Sequence, residues 1–308
     1  MSNSSARAVV VAGPTGSGKS DLALNLAEAI GGEIVNCDSV QLYRYMNIGS
    51  AKTPVPERRG IPHHLIDILN PDEVFTAGDY MREGRSVLRD ISARGKVPIV
   101  AGGTGFYLGA LLDGLFEGPP RNDDLRGRLS RRNPGSLHRL LRRLDPDAAR
   151  RIHANDMQKL VRALEVCILA RTPITRLHSH SRIPLSGFDV VKIGLDPPRE
   201  QLTERIHARC QRMFDTGLIE ETQSILALGF PASSKALESI GYREAVLHLS
   251  GGLSLPEAIA QTQIATRQYA KRQRTWFRRE REMNWICDFG NQSRTFHDAK
   301  RLVNLSNK

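Results

Sequence analysis

The chain has 308 residues, 40% of them hydrophobic and 25% charged, with 44 Lys and Arg against 33 Asp and Glu for a formal net charge of +11. That length and apolar share bury a sizeable core and exclude a disordered chain, while the scattered Cys37, Cys167, Cys210 and Cys287, with no C-x-x-C unit, exclude a zinc knuckle and a disulfide framework. The basic excess suits a polyanionic partner, of which nucleic acid is the usual one.

Along the chain, the opening MSNSSAR carries no apolar stretch of signal-peptide type, and the longest apolar runs, such as 97–101, are too short to span a bilayer. These features predict a cytoplasmic protein with no membrane segment. Residues 9–12, VVVA, form a short apolar run ended by glycine and read as a buried parallel strand. Residues 21–30 are apolar at helical spacing, and 31–39 read as a second strand with Asp38 at its carboxyl end. The proline-rich 53–62 is loop. A helix is predicted over 77–96 and a third strand over 97–105, running into glycines and Thr104. From 121 to about 180 the chain turns rich in Arg and Leu, with helical stretches near 123–132, 136–143, 146–152 and 156–170. Strand character returns at 189–196, followed by a helical 199–228. One long helix is predicted over 255–282, with Ser254 as cap, Pro256 in the first turn and Glu257 three residues past the cap.

Strands alternating with helices imply a parallel sheet covered on both faces. The expected fold is therefore α/β, a P-loop NTPase-like parallel sheet flanked by helices, with a small all-helical insertion domain. The expected division is 1–120 and 187–308 for the core and 121–186 for the Arg-rich insertion. In such sheets the active site lies beyond the carboxyl ends of the strands, where the loop after the first strand, Asp38 and Thr104 converge.

That loop, Gly13-Pro14-Thr15-Gly16-Ser17-Gly18-Lys19-Ser20, matches the P-loop pattern in full, with a strand before it and a helix after. Its glycines let backbone N–H groups close around phosphate oxygens. Lys19 supplies a point charge and Ser20 is a candidate ligand for Mg²⁺. Nucleotide hydrolysis also needs an acid on a neighbouring strand, and the third strand ends in Gly, Gly, Thr. Asp38 is then a support for the metal, a base for an incoming nucleophile, or a plain helix cap.

On the long helix, Arg267, Lys271, Arg274 and Arg278 recur on one face, as phosphate contacts require, and Tyr269, Trp276 and Phe277 fall on another that is expected to pack in the core. The insertion adds Arg121, Arg126, Arg128, Arg131, Arg132, Arg139, Arg142, Arg143, Arg150 and Arg151. Two basic regions beside a phosphate-binding loop favour an RNA or DNA partner over a merely solvated surface. His63, His64, His178 and His180 read as structural or surface residues, since no third metal ligand accompanies them.

Seven segments together resemble the bacterial tRNA dimethylallyltransferases, also called tRNA isopentenyltransferases: GPTGSGKS (13–20), DSVQLYRYMNIGSAK (38–52), PHHLIDILNPDEVFTAGDY (62–80), GGTGFY (102–107), NDMQKLVRALEV (155–166), IGYREA (240–245) and TRQYAKRQRTWFR (266–278). The resemblance implies transfer of a dimethylallyl group from dimethylallyl diphosphate to N6 of the adenine just 3′ of the anticodon, in tRNAs reading codons that begin with U. It implies that Gly13 to Ser20 bind the donor's diphosphate, that Asp38 takes the amine's proton, that Thr104 hydrogen-bonds the same amine, and that Arg243 adds a second cation. Mg²⁺ on Ser20, a tRNA anticodon stem-loop and a monomeric enzyme complete the expectation. Candidate tRNA contacts by the same resemblance are Asp38, Ser39, Val40, Gln41, Thr104, Arg126, Gln158, Lys159, Leu160, Val161 and Arg162. To these it adds Glu238, Ser239, Ile240, Gly241, Tyr242, Arg243, Lys271, Arg272, Gln273, Arg274, Thr275, Trp276, Phe277 and Arg278. The chain departs from the family where Gly, an apolar residue and Asp are common and Tyr45-Met46-Asn47 stand here, and at Ser50, Met157 and Lys159.

Three other readings compete. A small-molecule P-loop kinase and a prenyltransferase acting on free adenine nucleotides have no use for two basic regions. A non-catalytic RNA-binding module has no use for a P-loop beside Asp38.

Overall fold

Val9, Val10, Val11 and Ala12 are each at most 1% exposed, as a strand covered on both faces requires. They belong to β1 (Ala6–Ala12), which begins three residues earlier than the apolar run. In the computed structural model, which describes residues 5–180 and 182–305, β1 lies between β4 (Val97–Gly102) and β5 (Phe188–Leu195). With β2 (Gly32–Asn36), β3 (His63–His64) and β6 (Met283–Ile286) they form a sheet of order β3-β2-β4-β1-β5-β6, every pairing parallel. The expected α/β fold with a parallel sheet is thus the one observed.

The chain separates into two compact units, one of residues 1–111 and 186–308 and the other of 112–185. The first holds the sheet, α1 (Lys19–Ile30), α2 (Ala77–Ala93) and most of α3 (Gly105–Asp113). The second holds α4 (Asp123–Ser130), α5 (Pro134–Leu144), α6 (Pro146–Arg151), α7 (Met157–Ala170) and α8 (Ile174–His180). Its core gathers Leu129, Leu137, Leu141, Leu160 and Leu164. The first unit resumes after β5 with α9 (Arg199–Asp215), α10 (Leu218–Ala227), α11 (Tyr242–Leu249), α12 (Leu255–Phe277) and α13 (Ser293–Leu305). No helix among the described residues is long and apolar enough to cross a membrane.

Several predicted elements end earlier than their sequence pattern suggests, the helix over 77–96 at Ala93 and the third strand over 97–105 at Gly102 among them. The second strand stops at Asn36, and the chain then turns tightly over Gly102, where an added Cβ would stand 2.1 Å from Cys37 O. The helical stretch 199–228 is broken at Gly217, whose φ of +106° is open to glycine. The long helix ends at Phe277, five residues short of Glu282, because Glu282, at φ +57°, turns the chain back into the sheet as β6. Its start is as predicted: the Glu257 carboxylate accepts from Ser254 N at 2.8 Å and Ser254 Oγ at 2.6 Å.

The paired histidines have structural partners. His64 Nε2 lies 2.7 Å from the buried Glu33, which Arg94 also grips. Hydrogen bonds from Arg94, then His64, pull the Glu33 carboxyl down to about 2. His178 packs against the Phe116 ring, and the side chain of His180 lies outside the described residues.

The segment 41–52 is tied down by one carboxylate. Glu221 accepts from the backbone N–H of Asn47 and Ile48 at 3.0 Å and from the Tyr242 hydroxyl at 2.6 Å. Tyr242 is fully buried and closes over Gly49, where an added Cβ would stand 2.5 Å from its ring. Tyr45, at φ +68°, occupies the left-handed region that favours glycine. Glu221→Ala strands these donors together, so a loss of about 2–4 kcal/mol is expected in urea unfolding. A variant as stable as the parent would show that the carboxylate is dispensable.

Candidate active site

Because all strands are parallel, β2, β4 and β1 deliver their carboxyl ends to one edge, and each ends in a loop of the site. The P-loop follows β1, residues 37–41 follow β2, and Gly103-Thr104 follow β4. A cavity of about 220 Å³ opens there, lined among others by Thr15, Gly16, Gly18, Lys19, Ser20, Asp38, Gln41, Gly103, Arg205, Arg209 and Arg212.

The P-loop backbone needs its glycines. Gly16 and Gly18 lie at φ +84° and +83°, and an added Cβ on Gly13 would stand 2.7 Å from Leu195 O. Gly18 caps α1, and the first residues of that helix line the cavity, where its N–H groups stabilise an anion. The Lys19 ammonium donates to Pro14 O at 2.8 Å. Burial pushes it down to about 8, opposed by the nearby Asp38 and reinforced by Arg209.

Asp38 is held in a tight turn. Its N–H donates to Asn36 Oδ1 at 3.1 Å, and its Oδ1 accepts from Val40 N at 2.9 Å. Asp38 lines the cavity, and among the described residues its Oδ2 has no hydrogen-bond partner, so one oxygen of this carboxylate is uncommitted. Thr104 is fastened to the same segment: Thr104 N donates to Cys37 O at 3.1 Å, and Ser39 N donates to Thr104 Oγ1 at 3.1 Å. These two residues, 66 positions apart in the chain, therefore move as one piece.

Three arginines in the cavity escaped the sequence reading. Arg205, Arg209 and Arg212 recur at i, i+4 and i+7 on α9, the same helical signature that flagged the long helix. Arg209 donates to Thr15 Oγ1 at 2.7 Å, and Arg205 donates to Asn291 Oδ1 at 2.8 Å while stacking over Phe289. Arg243, expected to be the second cation, is not among the residues that line this cavity. Its guanidinium hydrogen-bonds the buried Glu244, and its side chain is 54% exposed.

An acid does stand beside β1 on its other flank. Asp196 follows β5, but Arg274 at 2.6 Å and Arg278 at 3.1 Å occupy its carboxylate. Two members of the predicted basic stripe are thus neutralised in part, while Arg267 and Lys271 remain exposed. Among the described residues no group of three His, Cys, Asp or Glu side chains is placed to hold a metal ion by itself. Ser20, exposed at the cavity floor, suits an ion that brings its other oxygens with it, as Mg²⁺ commonly does with phosphates and water.

The candidate RNA contacts divide by exposure. Gln158, Lys159, Glu238, Arg243, Lys271, Arg272, Thr275 and Arg278 are exposed, and Ser39, Val40 and Ile240 are partly so. The side chains of Leu160, Val161, Tyr242, Gln273 and Phe277 are buried and offer RNA no surface. Trp276, expected in the core, is instead 40% exposed. Its ring covers Gly105, where an added Cβ would stand 2.2 Å away, and meets Phe106 edge-on. In the helical unit, Arg126 and Arg162 both grip the buried Glu165, whose carboxyl is pulled down to about 2 against the opposing effect of burial. Arg128, Arg131, Arg132, Arg139, Arg142, Arg143 and Arg151 are exposed and have no acidic partner among the described residues.

Comparison with known proteins adds the family. A family model described as IPP transferase matches residues 41–280. The chain is 59% identical over 286 residues to a tRNA dimethylallyltransferase of Solibacter usitatus, covering 92% of this chain and 93% of that protein. It is 52% identical over 305 residues to another of Koribacter versatilis, covering 96% and 98%. Among solved structures, a tRNA isopentenylpyrophosphate transferase of Bacillus halodurans superposes with a TM-score of 0.72 at 33% identity, covering 98% of this chain and 95% of that one. A eukaryotic dimethylallyltransferase solved acting on tRNA superposes with a TM-score of 0.84 at 28% identity, covering 98% of this chain and 79% of that one.

Proposed function

The chain belongs to the IPP transferase family, and from that premise we infer that it transfers a dimethylallyl group from dimethylallyl diphosphate to N6 of the adenine 3′-adjacent to the anticodon, releasing diphosphate. The observation that carries this reading is the shared cavity of Lys19, the α9 arginines and Asp38. It offers cations for a departing diphosphate and one uncommitted carboxylate oxygen for a proton. A hydrolytic reading would want an acid beside β1, and the one there is gripped by two arginines.

In the reaction, the N6 lone pair forms a bond to the terminal carbon of the allyl group as that carbon's bond to the diphosphate oxygen breaks. Asp38 Oδ2 accepts the proton that N6 sheds. Thr104, fixed beside Asp38, hydrogen-bonds the same amine. The negative charge that builds on the leaving oxygen meets Lys19, Arg209 and the N–H groups of Gly16 to Ser20. Bound at Ser20, Mg²⁺ would neutralise part of the diphosphate charge. Arg243, the second cation implied by the resemblance, is outside the residues that line this cavity and hydrogen-bonds Glu244, so Lys19 and Arg209 carry the charge stabilisation in this reading. The adenine comes out of a single-stranded loop, whose bases are cheap to unstack. The exposed arginines of the helical unit and the outer face of α12 hold the anticodon stem-loop by its phosphates. The same reading has the protein working as a monomer in the cytoplasm.

The test is one incubation of the protein with Mg²⁺, unmodified tRNA and labelled dimethylallyl diphosphate, with AMP and labelled ATP in parallel. Label is expected in the tRNA. Label confined to AMP, or transfer of the ATP γ-phosphate, overturns the reading.

A further inference from the structure

Gln273 stands in the middle of a helix otherwise read as an RNA-binding surface, yet it is only 5% exposed. Its amide spans two loops of the active site. The oxygen accepts from Thr15 N at 2.8 Å, and the Nε2 donates to Gly103 O at 2.8 Å. Both partners are backbone groups of fixed polarity, so only one orientation of the amide serves them. Gly103 has no room for a side chain: an added Cβ would stand 2.1 Å from Gln273 Nε2. One turn earlier on the same helix stands Tyr269, close to Thr104. The neighbours Lys271, Arg272 and Thr275 are exposed on other faces of the helix.

We propose that Gln273 is a positioning residue, a bracket that locks the P-loop to the Gly103-Thr104 loop and fastens both to the helix on which RNA is held. This deepens the prenyl-transfer reading and rests on it. The Thr15 N–H is committed to Gln273, so the diphosphate is left the N–H groups from Gly16 onward. The bracket fixes where the leaving group sits relative to the Asp38–Thr104 pair. Because the same amide sits on α12, the nucleophile's support and the electrophile's cradle share one rigid frame. Buried amides of this kind are costly to leave half-paired, which makes the frame stiff.

Two substitutions of similar volume test it. Gln273→Met removes both hydrogen bonds, and Gln273→Glu keeps the acceptor for Thr15 but sets a carboxylate against the Gly103 carbonyl. Measured in the full chain, both are expected to raise the donor KM about 10-fold and lower kcat about 10–100-fold, since small misplacements of reacting groups cost that much. The Kd for tRNA without donor is expected to stay within about twofold, because no RNA-facing group changes. Unchanged kcat and donor KM overturn the bracket, and so does a loss confined to tRNA affinity, which would make Gln273 an RNA contact. Titration with inorganic diphosphate separates this proposal from the reading it rests on. If the wild-type chain transfers no prenyl group, the functional reading fails. The bracket then stands or falls on whether Gln273→Met binds diphosphate more weakly than wild type. Should both variants fail to fold, Gly103→Ala displaces the same amide from the other side. It is expected to reproduce the donor defect, and normal donor kinetics in that variant overturn the proposal.

Discussion

Asp38→Asn is expected to lower kcat for prenyl transfer by about 10²–10⁴-fold, the span typical of losing a positioned general base. Asn keeps the Oδ1 that accepts from Val40 N, so the turn that holds residues 37–41 survives. What disappears is the ability of the second oxygen to take a proton from N6. Binding of tRNA, measured by filter retention without donor, is expected to stay within about threefold, since the cavity loses one charge and no phosphate contact. The control is Asp38→Ala, which also frees the Val40 N–H and so adds a loss of stability. A variant Asp38→Asn that turns over near the wild-type rate would assign proton removal to another group or to water.

The second large effect falls on the leaving group. Lys19→Met keeps the length of the side chain and removes its charge. Loss of one preorganised donor to developing anionic oxygen costs about 3 kcal/mol, a fall in kcat/KM for the donor of about 10²–10³-fold. The lysine also sets a pH limit. Burial lowers its ammonium to about 8, below the ordinary lysine value. The charged form is therefore complete well below pH 8 and is lost as pH rises through that value. Since kcat/KM reports the free enzyme, its value for the donor is expected to fall on the alkaline side of about pH 8. Lys19→Arg keeps a cation at every accessible pH and is expected to abolish that limb, at some cost in rate, because guanidinium and ammonium differ in shape. A limb that persists unchanged in Lys19→Arg would trace the pH dependence to another group.

Much of the site is legible because local chemistry demands particular residues. Glycines at left-handed φ, a lysine and a serine at fixed spacing describe a phosphate cradle whatever surrounds them. An apolar run ended by glycine describes a buried parallel strand, and parallel strands place their loops at one edge. Asp38, Thr104 and the P-loop could therefore be put together from strand ends alone. The arginines of α9 carry a readable helical period too, but a period names a face without saying what the face meets.

Burial and partnership are the parts that sequence left undecided. Tyr242 and Gln273 sit in motifs that read as RNA contacts, and their side chains are buried; Phe277, which the helix period assigns to the core and the resemblance to RNA, is buried as the period expects. Arg274 and Arg278 read as phosphate contacts, and Asp196, about eighty residues away in the chain, already pairs with them. Trp276 reads as core and lies at the surface against Phe106. The sequence by itself determined the alternation of strands and helices, the phosphate-binding loop, the strand-end carboxylate and the two basic regions, because each depends on residues near one another in the chain. Only the tertiary structure decided which cations are free, which polar side chains brace rather than bind, and how α9 and α12 close on the P-loop. Those outcomes depend on which distant groups share a low-dielectric space, and no spacing along the chain encodes that.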